Sequence, residues 1–161
     1  MVNITGMRSE QVIKIPRLRK GQGLIEFALV LPILILIVFG VLELGRAFFA
    51  FIAISNAARE GARVYTFRPD VTTVANVIAA VNTEIGTSPL VSLSKIASIQ
   101  IECGDETTGA YTVVTTDTAL TTNCSKNQSI RVTVTYNHDL IFTLFFPATL
   151  TLRQSAEMMV P

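Results

Sequence analysis

The chain has 161 residues, half of them hydrophobic and 16% charged, with a formal net charge of +1. That length excludes two large domains, and so apolar a composition is unlike an ordinary soluble protein, so a membrane segment is the first thing to look for. The near-neutral balance gives no basic surface for nucleic acid.

Charge is unevenly placed along the chain. Before Gly21, the residues Arg8, Lys14, Arg17, Arg19 and Lys20 stand against Glu10 alone. From residue 24 to residue 42 every position except Glu26 is apolar, glycine or proline. That run matches the roughly 20 residues that cross a bilayer core of about 30 Å, and it predicts a transmembrane helix over about residues 24–43. A small soluble domain has no place to hide a helix that is apolar on every side. The basic cluster places the N-terminal side in the cytoplasm by the positive-inside rule, so the chain beyond the span faces the exterior. A cleaved secretory signal fits less well: its apolar region is about 7–15 residues long and ends at a small-x-small site. The nearest such site, Ala53 to Ser55, lies too far beyond the run.

Glu26 is a carboxylate near the start of an apolar helix. Such a group costs about 2.5–3.5 kcal/mol at mid-membrane and less near the interface, so it either finds a partner or snorkels to the headgroups. Around it the sequence runs Arg19, Lys20, Gly21, Gln22, Gly23, Leu24, Ile25, Glu26, Phe27, Ala28. This junction resembles a type IV prepilin processing site, at which a prepilin peptidase cuts after a glycine that is preceded by basic residues. Cleavage after Gly21 makes Gln22 the first mature residue and Glu26 the fifth. The resemblance implies that Glu26 neutralises the new terminal amine of a neighbouring subunit during assembly.

The resemblance narrows with Pro32, with Glu43, Leu44, Gly45 and Arg46, and with the run Asn56, Ala57, Ala58, Arg59, Glu60, Gly61, Ala62, Arg63. Residues 23–65 are similar to the TadE-like minor pseudopilins of Tad (Flp-type) pili. The resemblance implies a cytoplasmic leader over residues 1–21 and a long helix over residues 22–65. Its implied partners are the prepilin peptidase, other pilin and pseudopilin subunits, the membrane assembly platform and the lipid bilayer. A major pilin is a poorer fit, because a large region lies beyond the helix.

A helix of that length is about 66 Å long at 1.5 Å per residue, so about half of it protrudes from the hydrocarbon. Pro32 removes one backbone hydrogen bond and predicts a kink over residues 28–32. Ala50, Ala53, Ala57 and Gly61 recur at spacings of three and four, which forms a ridge of small side chains suited to close helix packing. The ridge can meet either the chain's own C-terminal domain or another subunit. Glu43 with Arg46, and Glu60 with Arg63, sit three apart and can pair on a solvated helix face.

The C-terminal region, residues 66–161, reads as a small α+β domain. Asp70 is a candidate N-cap for a second helix over residues 71–85, with Val71, Val74, Val77, Ile78, Val81 and Ile85 at helical spacing and Gly86 ending it. Alternation over residues 98–102 and 131–136 predicts strands, and a third over residues 149–159 completes a short antiparallel sheet. The fold class is therefore α+β of the pilin type, a long N-terminal transmembrane helix leading into a second helix and a short sheet.

Cys103 and Cys124 are the only cysteines and flank a polar stretch rich in Thr, Asp and Gly. On the exterior side a disulfide is the natural reading. Free thiols would imply a reducing compartment, and a metal site lacks further ligands, since the sole histidine, His138, stands apart in sequence from any cysteine or carboxylate cluster. The Asn127, Gln128, Ser129 sequon carries no weight alone. Residues 140–146 are apolar but too few to cross a membrane, and suit a cover for the sheet or a contact with another subunit.

No nucleophile and base motif, phosphate loop or metal cluster stands out, so neither catalysis nor a cofactor is expected. Two functions compete. One is a processed pseudopilin that primes, caps or joins a Tad-type pilus used for adhesion or secretion. The other is a signal-anchored exterior binding module that never polymerises.

Overall fold

The computed structural model describes residues 21–105, 107–141, 143 and 147–161. The leader residues Arg8, Lys14, Arg17, Arg19 and Lys20, which set the expected orientation, lie outside that set. So does most of the apolar stretch at residues 140–146.

Helix α1 (Gln22–Phe67) has 46 residues and runs without interruption through Pro32. It is the one helix among the described residues long and apolar enough to cross a membrane. The chain divides into two compact units, one up to Val38 and one over Phe39–Pro161. In the first, residues 21–38 are exposed except for the half-buried Leu31. With no water to satisfy the backbone in a bilayer, a helix that bonds internally is the conformation such a sequence can hold there.

The second unit begins inside the helix because α1 supplies part of its core. Ala50, Ala53, Ile54, Ala57, Ala58, Ala62 and Tyr65 are buried in one cluster with residues of the other elements. Helix α2 (Val74–Gly86) contributes Val77, Val81 and Ile85. Its start corrects the sequence expectation: the N-cap is Thr73, not Asp70, and Val71 lies outside the helix. The Thr73 hydroxyl accepts from the Asn76 amide at 3.2 Å while the Asn76 side chain accepts from the Thr73 amide at 3.0 Å. That reciprocal capping box satisfies two otherwise orphan donors, which no arrangement around Asp70 matches. Val71 is left exposed.

The sheet has four strands in the order β2-β1-β3-β4, all neighbours antiparallel. They are β1 (Ile96–Gly104), β2 (Tyr111–Val114), β3 (Ser129–Asp139) and β4 (Thr149–Met159). A short 3-10 turn, Leu93–Lys95, leads into β1. The region between the cysteines holds strand β2 and a helix, α3 (Asp117–Asn123), where composition suggested only a polar stretch. Their Thr-rich sequences lack the long apolar period that marks α2. Thr116 caps α3, and Asp117 Oδ1 accepts from the Val74 amide at 2.8 Å, which fastens the starts of α2 and α3 together.

One sheet face is apolar. On β3 the alternate residues Ile130, Val132, Val134, Tyr136 and His138 are all buried. The other face carries a polar network in which Glu157 accepts from Arg131 at 3.0 Å and from the Tyr111 hydroxyl, while the Arg131 guanidinium lies 3.3 Å from the Tyr111 ring centroid. The Tyr111 hydrogen bond, supported by that of Arg131, holds the Glu157 carboxyl below its ordinary value against the effect of burial.

Candidate assembly segment and the cluster at its exit

Gly21 directly precedes α1, Gln22 is the helix's first residue, and Glu26 lies one turn in. All three are exposed, so the Gly21–Gln22 bond and the carboxylate stand at the open end of an uncovered apolar helix.

Further along, α1 has two unlike faces. The ridge of Ala50, Ala53, Ala57 and Gly61 is turned into the chain's own core. A Cβ placed on Gly61 would fall 2.6 Å from Val81 Cγ2 and 3.3 Å from Val132 Cγ1, so α2 and β3 close on the helix backbone there. At the far end the Tyr65 hydroxyl lies 2.9 Å from the Cys124 carbonyl and 3.1 Å from the Leu120 carbonyl, joining α1 to α3. Burial, then Asp70, raises the Tyr65 pKa above its ordinary value.

The opposite face of α1 stays apolar well past the expected span. Val41, Leu44, Phe48, Phe51 and Ile52 are exposed there, with the Phe48 and Phe51 rings stacked at 6.0 Å. Exposed apolar side chains therefore continue from Leu24 to Ile52. At 1.5 Å per residue that is about 43 Å, longer than a bilayer core of about 30 Å. The spacing of Leu44, Phe48 and Phe51 carries this signal in the sequence, but the Glu43 and Arg46 charges mask it.

Those two charges do not simply mark solvated helix. Arg46 Nη1 donates to both Glu43 oxygens at 3.1 Å, and the Glu43 side chain is only 14% exposed. Glu43 Oε1 also accepts from the Ile141 backbone amide at 3.1 Å, and His138 Nε2 lies 3.9 Å from the same oxygen. His138 is therefore beside a carboxylate from far earlier in the chain, which sequence proximity could not reveal. Its burial was readable, since it continues the inward row from Ile130 to Tyr136. Glu60 and Arg63 do pair at the surface, at 2.7 Å, and their hydrogen bond lowers the pKa of the one and raises that of the other.

Cys103, at the end of β1, and Cys124, just after α3, form a disulfide with their Cα atoms 5.1 Å apart. Among the described residues no group of His, Cys, Asp and Glu side chains is arranged to hold a metal ion.

One long N-terminal apolar helix leading into a second helix and an antiparallel sheet defines an α+β protein with one candidate membrane span among the described residues. Residues 21–63 match the TadE family model, described as TadE-like protein. The matched segment takes in Gly21, Glu26 and the small-residue ridge, a little over a quarter of the chain. No curated protein and no solved structure matches the chain.

Proposed function

We propose that this chain is a minor pilin-like subunit of a Tad pilus, inserted with residues 1–21 as a cytoplasmic leader and cut by a prepilin peptidase between Gly21 and Gln22. Residues 66–161 then lie outside the membrane, with α1 as the anchor. Glu26 neutralises the terminal amine of a neighbouring subunit as the chain joins, primes or caps the filament. The protein's role is assembly, and the catalysis belongs to the peptidase that trims it.

The observation that carries this reading is the junction itself: a glycine immediately before the start of an exposed apolar helix, with Glu26 as the only charged residue in its first 21 positions. A simple anchor has no use for a carboxylate there, whereas a subunit that must be drawn from lipid against a neighbour does. The apolar outer face that reaches Ile52 adds support, since it offers more helix surface than a bilayer core covers.

The test is the N-terminal residue and intact mass of the protein purified from its native membrane, for wild type and for Gly21→Ala. The expected result is a wild-type chain starting at Gln22 and a Gly21→Ala chain left at full length. A wild-type chain that keeps its leader would overturn the proposal in favour of an anchored binding module.

A further inference from the structure

We propose that the α+β domain itself touches lipid: the segment between α2 and β1, at Leu90 and Leu93, lies in the headgroup layer of the bilayer that α1 crosses. The inference rests on reading α1 as a spanning helix, and on nothing about leader cleavage or filament assembly. Length is the first observation. The exposed apolar face of α1 that ends at Ile52 is about 43 Å long, more than a hydrocarbon core of about 30 Å but close to the roughly 40–45 Å of a bilayer with its headgroup layers. Leu44, Phe48, Phe51 and Ile52 are then the part of that face that meets the outer headgroups. Whatever packs beside α1 at this level shares that layer.

What packs there includes the segment between α2 and β1. Arg46 of α1, Leu90, Lys95, and Tyr136, His138 and Asp139 of β3 line one cleft of about 360 Å³. The segment is fastened in place, since the Ser92 amide donates to the Tyr136 hydroxyl at 3.3 Å and Lys95 Nζ lies 2.5 Å from Asp139 Oδ2. Val91 turns into the core, yet Leu90 and Leu93 on either side of it are 56% and 47% exposed. Two leucines held outward on a fastened segment, next to an apolar helix face that also lacks a cover, are a surface suited to an apolar environment rather than to water. Lipid surrounds α1 wherever the domain does not, so it reaches both.

The charges at this level point the same way. A charge moved partly out of water needs a partner. Arg46 Nη1 donates to both Glu43 oxygens at 3.1 Å, and Lys95 is paired with Asp139, so the cations that border the cleft come already compensated. Such pairs can enter a headgroup layer without leaving an uncompensated charge behind, and their alkyl stems extend the apolar surface around the two leucines.

The chain has no tryptophan, so a single introduced one reports one position. Four variants of the full-length protein are placed in vesicles of phosphatidylcholine and phosphatidylglycerol whose acyl chains are plain or brominated close to the headgroup. Leu93→Trp and Leu90→Trp probe the surface, Leu29→Trp probes the span, and Val113→Trp, exposed on β2 opposite Glu102, is the reference in water. Bromination is expected to dim Leu93→Trp, Leu90→Trp and Leu29→Trp and to leave Val113→Trp unchanged. Quenching of Leu29→Trp alone would overturn the inference while leaving the spanning helix in place. Emission from Leu93→Trp that is shifted to shorter wavelength but not quenched would overturn it in favour of cover by another protein chain. If Leu29→Trp also escapes quenching, the spanning reading fails and the inference falls with it. Leu90 and Leu93 lie outside the buried core, so either variant keeps the fold, and the second answers should the first misfold. None of these readouts depends on cleavage after Gly21, so failure here and failure of the pilin reading are distinguishable.

Discussion

Gly61 sits where α1, α2 and β3 meet, and two opposed effects decide what an alanine would do there. Alanine gains about 0.5–1 kcal/mol over glycine in a helix interior. The added methyl, however, would lie 2.6 Å from Val81 Cγ2 with Val132 behind it, and overpacking of a filled core costs about 1–3 kcal/mol. Gly61→Ala is therefore expected to lower stability by about 1 kcal/mol, readable as a reduced denaturant midpoint in micelles; a rise would mean that the helices part easily. The spacing of Ala50, Ala53, Ala57 and Gly61 made the ridge legible in the sequence, because helical period alone puts them on one face. What it met was not legible, since Val81 and Val132 reach it only through tertiary folding. Glu43 is the reverse case: its pairing with Arg46 could be read from a spacing of three, but its partial burial depends on His138 and Ile141, which the topology brings from far along the chain.

Among the elements, α1 and β4 were readable nearly to their ends, α1 because its apolar run has no competing period and β4 because it alternates from Thr149 to Leu152 and again from Ser155 to Met158. The start of α2 was not, since Asp70 and Thr73 are both good caps and only the Asn76 side chain selects between them. The short β2 and α3 fell below what pattern can resolve in a Thr-rich stretch. These two elements lie inside the loop closed by Cys103 and Cys124, a sequence separation of 21. A closure of that length contributes about 3 kcal/mol in the loop-entropy model, and it ties the end of α3 to β1. Replacing Cys103 by Ala is expected to lower unfolding stability by about 2–4 kcal/mol, and hydrogen exchange should show the loss concentrated in β2 and α3. Uniform loss across β3 and β4 would mean the bridge supports the sheet instead.

For the molecule as a whole, α1 combines a candidate membrane span with one wall of the core. Alkaline carbonate washing of native membranes is expected to leave the protein in the pellet, while a variant lacking residues 24–42 should not pellet with lipid. Release of the wild-type chain by the same wash would argue against a spanning helix. The α+β class and the candidate membrane span were legible from hydropathy and alternation, which are properties of short windows. The strand order, with β3 between β1 and β4, was not, because register between distant strands is set by packing on the helices.

That dual use of α1 also sets a timetable. Ala50 and Ala57 belong to the same cluster as Ala156 and Val160, so the core cannot close until strands about a hundred residues downstream have arrived. Contacts of such long sequence separation form slowly, while a helix propagates within microseconds. For that interval Val77, Val81 and Val132 have no helix wall to rest on except α1 itself, already held by its apolar run. Helix α1 is thus a template for the domain that follows it: a fragment that starts after Phe67 would lack one side of its own interior, however completely it retained the strands.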